Sequence, residues 1–153
     1  MKKLLAVFSI MLITLSGCKG FDYDMMVCSY HGMQSLSYEV RYEQEKILNI
    51  AVVEYQDLRN VSDKEYEKQL KTIEKLRDER EEYSGIKTSL ENNDREITLY
   101  TEINYEKYNC NKDSLSLLQV KLQKKDFKDV QTLREKLLQN RFDCDEIVAK
   151  DQQ

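Results

Sequence analysis

Between residues 25 and 55 apolar and polar positions alternate with a period of two, the signature of strands with one buried face. Three strands are expected. The first covers residues 25–30 and stops at the His31-Gly32 turn. The second sets Leu36, Tyr38, Val40 and Tyr42 against Ser35, Ser37, Glu39 and Arg41, so its inner face is plain. After a polar turn over residues 43–46 the third strand, 47–55, is apolar on both sides, as an interior strand should be. Turns this short imply a meander.

The period then changes. Ser62-Asp63-Lys64-Glu65 has the form of a capping box, in which the serine hydroxyl and the glutamate carboxylate each satisfy a free backbone N–H. Tyr66, Leu70, Ile73, Leu76 and Tyr83 follow at near-helical spacing, one narrow apolar stripe on a charged background. The helix is expected over 62–84, lying on the sheet, with Gly85 ending it in the left-handed conformation. Residues 86–90 and 96–105 form a hairpin about Asn92-Asn93-Asp94, with Ile97, Leu99, Thr101, Ile103 and Tyr105 on one face. Residues 113–122 fit helix and strand about equally; a helical turn followed by an irregular or strand-like piece is preferred. A last helix over 128–139 buries Val130, Leu133, Leu137 and Leu138 and ends at Asn140, after which Phe142 and Cys144 return to the body of the fold. The expected architecture is α+β: a mostly antiparallel sheet of about five strands, a long helix across one face and a C-terminal helix.

Met1-Lys2-Lys3, a mostly apolar run over residues 4–15 and then Leu15-Ser16-Gly17-Cys18 make up the order of a secretory signal. The apolar run is too short to span a bilayer as a mature helix. The tetrad resembles a lipobox, which implies that Cys18 receives a diacylglycerol and that residues 1–17 are removed. Two acyl chains would hold the protein with on the order of 20 kcal/mol of membrane affinity. The expected organisation is a signal peptide over 1–17, the lipidated cysteine and a short tether over 18–24, and one domain over 25–153. The expected location is the extracytoplasmic face of a membrane, held through Cys18. Residues 19–24 would reach roughly 20 Å when extended, so the domain would stand close to the bilayer.

Charge narrows the partners. The chain carries a net −4, and losing residues 1–17 would remove Lys2 and Lys3 but no acid. Basic and acidic residues are interspersed, as on a solvated surface, which disfavours nucleic acid and argues against broad contact with anionic lipid.

The order of elements, with the strings Ser37-Tyr38-Glu39-Val40-Arg41-Tyr42, Tyr83-Ser84-Gly85-Ile86-Lys87, Ile103-Asn104-Tyr105-Glu106-Lys107 and Leu137-Leu138-Gln139-Asn140-Arg141-Phe142-Asp143-Cys144, resembles the small YehR-like bacterial lipoproteins, a family of unknown function. The resemblance covers most of residues 18–153. It departs at Arg141, where the family usually has glycine before the terminal aromatic, and at Cys110. It implies a lipid-anchored α+β domain outside the cytoplasm and supplies no reaction.

Apart from Cys18, Cys28, Cys110 and Cys144 remain, an odd number in a compartment where pairing is the default. The resemblance, whose members carry a similar early and terminal cysteine, favours a Cys28–Cys144 bond with Cys110 as a spare thiol. Cys28 and His31 invite a zinc or thiol-nucleophile reading, but residues three apart on a strand point to opposite faces, and the chain has one histidine. No metal or cofactor is expected. Carboxylate neighbours such as Glu81-Glu82, or Asp143 with Asp145, arise freely among 28 acids. There is no nucleophile elbow, phosphate-cradling loop or HExxH.

Among the tyrosines, Tyr100 stands out, because it falls on the face opposite Ile97, Leu99 and Ile103 and suits a ligand or partner surface. The reading is therefore a non-enzymatic binding or structural module of the cell envelope, acting on an unidentified envelope protein or ligand. The alternative is a thiol-dependent hydrolase or redox protein using Cys110 or Cys28.

Overall fold

The computed structural model describes residues 24–30, 35–108 and 120–147. The strands β1 (Asp24–Tyr30), β2 (Ser35–Glu43), β3 (Lys46–Asp57), β4 (Ile86–Asn93), β5 (Glu96–Ile103) and β6 (Phe142–Ile147) form one sheet in the order β4-β5-β3-β2-β1-β6. All its pairings are antiparallel. Helix α1 (Asp63–Glu81) joins β3 to β4, and a 3-10 turn (Lys124–Phe127) precedes helix α2 (Val130–Gln139). The α+β class is as read from the sequence, but the described residues form six strands, not about five, and the chain passes from α2 into β6. Phe142 is buried and Cys144 half-buried, while Asp143, Asp145 and Glu146 are exposed. The alternation is present, but six residues with three acids give it little apolar weight. Those acids also suit an edge strand, where charge discourages further pairing.

The pairing register sorts every side chain onto one of two faces. Tyr38 lies opposite Val52 and Cys28, and Val52 lies opposite Thr101. This face also carries Met26, Val40, Ile50, Ile97, Leu99 and Ile103, all almost fully buried. Both helices lie over it. α1 packs Tyr66, Leu70, Ile73 and Leu76 on Ile97 and Leu99, and α2 packs Val130, Leu133 and Leu137 into the larger cluster with Tyr38, Ile50, Phe127 and Phe142. Phe142 meets Tyr30 and Tyr38 with ring centroids 5.2 and 5.3 Å apart. The start of α2 is tied down by its own cap, where the Asp129 side chain accepts from the Thr132 N–H at 2.7 Å, and by the Val130 N–H donating to Glu45 O at 2.9 Å.

Between the two apolar clusters runs a polar seam. Arg80, 2% exposed, donates through Nη1 to the Glu54 carboxylate and, at 2.8 Å, to Thr101 Oγ1. Buried Tyr38 feels both charges, and burial pushes its hydroxyl well above the ordinary tyrosine range. Burial also raises the Glu54 carboxyl, against the hydrogen bond and charge of Arg80. Arg80 is seven residues beyond Ile73, in the stripe that faces the sheet, so a guanidinium occupies an apolar position and brings its partners with it.

Several local expectations change. Ser62 caps α1, accepting from the Glu65 N–H at 3.3 Å, but the helix ends at a right-handed Glu82 and not at Gly85. Gly85 is left-handed, φ +85°, as the chain enters β4, where a Cβ would lie 2.8 Å from Asn104 O and Tyr108 N. The β4–β5 turn is Asp94-Arg95, one step later than expected. Both residues have positive φ, as do Gln44 and Glu45, the pattern of two-residue hairpin turns. Leu138, expected in the core, is 40% exposed, because Val130, Leu133 and Leu137 already define the buried side of α2. Asn140 caps α2 with φ −104°; the left-handed residue is Arg141, φ +68°. Of the ambiguous stretch, residues 113–119 lie outside the described residues, while Val120 and Leu122 are buried.

Cys28 and Cys144 are opposite each other in the β1–β6 pair, with Cα atoms 4.0 Å apart and sulfurs joined at 2.05 Å across 116 residues of sequence. In an antiparallel ladder the close pairs are those that do not exchange backbone hydrogen bonds, so facing cysteines can bond directly.

Two outcomes follow from this architecture. Arg80→Met should destabilise the protein by roughly 3–5 kcal/mol, because Glu54 is left charged beneath α1, while Arg80→Met with Glu54→Leu should recover most of the loss. Urea unfolding of the two variants checks this. Cys28→Ser or Cys144→Ser should each cost roughly 2–5 kcal/mol. Cys110→Ser, at a site outside the described residues, should leave the midpoint unchanged in the same assay.

Candidate functional site

With both helices on one side, the other face of the sheet has neither described helix over it. It is an ordered lattice. One cross-strand row reads Asp145-Val27-Glu39-Ala51-Glu102-Lys87, from β6 to β4. The next reads Asp143-Ser29-Ser37-Val53-Tyr100-Ser89, and a third Ser35-Tyr55-Thr98-Glu91. Ala51 and Val53, on the central strand, are each 5% exposed, and Tyr55 and Tyr100 are half-buried. The middle of the face is thus small and apolar, bordered by two phenol rings and a set of carboxylates.

Tyr100 lies where the alternation in β5 puts it, opposite Val53 and on the reverse side from Leu99 and Thr101. Burial raises its hydroxyl pKa, and the negative charges of Glu91 and Glu39 push it the same way. At neutral pH it is a neutral ring whose O–H can donate or accept. Tyr55 is raised by burial and by its hydrogen bond to Glu96. Glu39 is the unusual member. Burial raises its carboxyl pKa, and the nearby charge of Arg41 offsets this only in part.

Glu39 and Glu102 were not singled out from the sequence. The signal was there in the polar side of β2, Ser35-Ser37-Glu39-Arg41, because that side must share a face with Tyr100 if one register runs through β2, β3 and β5. The seam of Arg80, Glu54 and Thr101 also went unread, though seven-residue spacing in α1 marks it.

The other sequence candidates do not converge. Cys28 is fully buried and disulfide-bonded, so in this structure it offers no thiolate. Cys18, Cys110 and His31 lie outside the described residues. Glu81 and Glu82 are exposed at the end of α1. Asp143 and Asp145 share the open face at its β6 edge and are both exposed. Among the described residues no three or more His, Cys, Asp or Glu side chains are placed to hold a metal ion.

The surface carries two further features. A recess of about 200 Å³ at the sheet end, between Lys46–Asn49 and Ile103–Glu106, is smaller than the ~300–1,000 Å³ usual for a small-molecule site. A broad, open groove runs along the outer side of α1 past Lys64, Lys68, Lys71 and Lys75, with Lys68 3.8 Å from Glu65 and Lys75 3.3 Å from Glu79. It is lined by that helix and its cap residue alone.

No family model and no curated protein matches this chain. A solved structure does: an NMR structure of a protein from Streptococcus pneumoniae TIGR4, with a TM-score of 0.52 over 88% of this chain and 92% of that one, at 12% identity. At that identity the likeness is one of fold. No described helix is long and apolar enough to cross a membrane.

The open face yields a pH test. Because burial raises Glu39 in the folded protein, the folded state holds that proton more tightly than the unfolded state does. Its penalty is absent below the ordinary carboxylate value of 4.5 and grows as pH rises through the folded value. Glu39→Gln should therefore raise the thermal midpoint at pH 7 and bring no gain at pH 4, measured by circular dichroism melts at both.

Proposed function

We propose that this chain is a lipid-anchored module of the cell envelope that binds a partner protein through the open face of its sheet. The observation that carries the reading is the placement of both helices on one side, which leaves Tyr100, Tyr55, Val53 and Ala51 facing outward together. Aromatic rings beside a small apolar floor give large contact area with little rotamer entropy to lose, the usual chemistry of a recognition surface. An extended sheet face fits a macromolecular partner better than a small molecule.

The anchor supports this use. Lipidated Cys18 would hold the domain at the outer surface of a membrane, in keeping with the likeness to YehR-like lipoproteins. A tether of residues 19–24 would lead into β1 at Asp24, the end of the sheet where β1 pairs with Tyr42 and β2 turns into β3. The disulfide agrees with an oxidising compartment. The reading is non-enzymatic, with the face as a recognition surface, and the Cys28–Cys144 pair is bonded in this structure. The thiol-enzyme alternative rests on Cys110 alone.

A photoreactive phenylalanine analogue at position 100, and separately at position 68 on the outer side of α1, tests this in the full chain in its own membranes. Position 100 should give a discrete protein adduct and position 68 should not. Cys18→Ser should leave unprocessed precursor without fatty-acid label, and should remove the adduct. Equal labelling at both positions would contradict the binding-face reading, and an activity abolished by alkylating Cys110 would favour the thiol enzyme.

A further inference from the structure

The open face carries more than apolar area. Its central row places Asp145, Glu39 and Glu102 on β6, β2 and β5, each two strands from the next in the order β6-β1-β2-β3-β5. At ~4.8 Å per strand the three carboxylates recur roughly every 10 Å across the sheet. The residues between them are Val27 and Ala51, so the charges are separated by apolar ground and not clustered. Tyr100 is one row away, with Ser89 opposite it on β4 and Glu91 one row further. The basic residues nearby are Arg41, two positions from Glu39 on β2, and Lys87, directly opposite Glu102 on β4.

We infer that the partner seated on this face is a cationic polypeptide, a helix whose lysines or arginines recur every seven residues. The inference rests on the binding-module reading above and names that partner's chemistry. Residues seven apart on a helix lie about 10.5 Å apart along its axis, which matches the carboxylate interval. The long basic stems would lie against half-buried Val27, while the phenol faces of Tyr100 and Tyr55 would receive charged ends. Glu39 fits this arrangement, since a half-buried carboxylate that is unfavourable in the free protein gains a cation when the partner docks.

A second copy of this chain fits less well. The lysines of α1 have suitable spacing, but α1 runs along the β4–β5 hairpin, from the Asn92–Tyr66 hydrogen bond on β4 to the Arg80–Thr101 bond on β5. The carboxylate row crosses the strands. Seating that helix along the row would turn one copy roughly at right angles to the other, which two copies anchored in one membrane cannot easily do.

The test uses the full chain in neutral detergent and a fluorescent helical peptide of alanine and glutamine with lysine at every seventh position. A matched peptide carries glutamate at those positions. The lysine peptide should bind and the glutamate peptide should not. Glu39→Gln with Glu102→Gln should weaken binding about fivefold, the loss of two modest ion pairs. Asp78→Asn with Glu82→Gln, which removes the same charge from α1, should leave binding unchanged. Circular dichroism melts establish that each variant is folded. Equal binding of both peptides, no binding of the lysine peptide, or equal weakening by the two variant pairs would overturn the inference. So would self-association that only the Glu39 and Glu102 changes abolish, since a second copy would then be the occupant. A protein adduct at position 100 that is insensitive to these charge changes would leave the binding module standing and refute its cationic partner.

Discussion

Everything distinctive about this molecule depends on both helices packing against the same face of one six-stranded sheet. In an antiparallel sheet the side-chain period is two, so a single register decides which residues face the helices and which face away. Here β3 is central, and its pairing with β2 and β5 aligns Tyr38, Val52 and Thr101 beneath the helices and Ser37, Val53 and Tyr100 on the reverse. A slip of one residue in any of these pairs would bury the carboxylates and expose the core. The outer strands are fastened differently at each side. β6 is bonded to β1 through Cys28 and Cys144, and β4 is held beneath α1 by Leu90 and by the Asn92–Tyr66 hydrogen bond.

The helix side is not uniformly apolar. α1 and α2 bury separate clusters, and Arg80 fills the gap between them with Glu54 and Thr101. A buried ion pair is a modest source of net stability, because desolvation opposes the Coulomb attraction, but it penalises any packing that leaves one charge alone. Arg80 thus sets how α1 lies along β5: the guanidinium has its partners only when that part of the helix stands over Thr101. The open face shows the reverse economy. Burial raises the Glu39 carboxyl, and the charge of Arg41 offsets this only in part.

Much of the fold was legible because the periodicities are clean. The Leu36-Tyr38-Val40-Tyr42 alternation, the Ser62 cap and the stripe on α1 each have one sensible reading, and the reverse placement of Tyr100 follows from Ile97, Leu99 and Ile103. β6 was harder, since Phe142 and Cys144 alternate with acids over only six residues and no turn signal separates them from α2. The left-handed position at that junction is filled by Arg141, a residue type that gives no such cue, so helix and strand abut without a glycine. Leu138 shows the limit of pattern reading at a helix end, where the adjacent Leu137 and Leu138 point about 100° apart and only one can face the sheet. The acid row of the open face could not be read from any one strand, because its members come from β6, β2 and β5.

If the proposed anchor holds the protein at a membrane, the open sheet face is the surface it works with there. Hydroxyl-radical footprinting of the full chain in its native membranes, compared with the purified protein in detergent, tests it most directly. Tyr100, Tyr55 and Met25, which share that face, should be protected in membranes and react once purified, while Tyr66, on the sheet side of α1, should react alike in both. Equal reactivity of Tyr100 in the two preparations, or protection confined to the outer side of α1, would contradict the account.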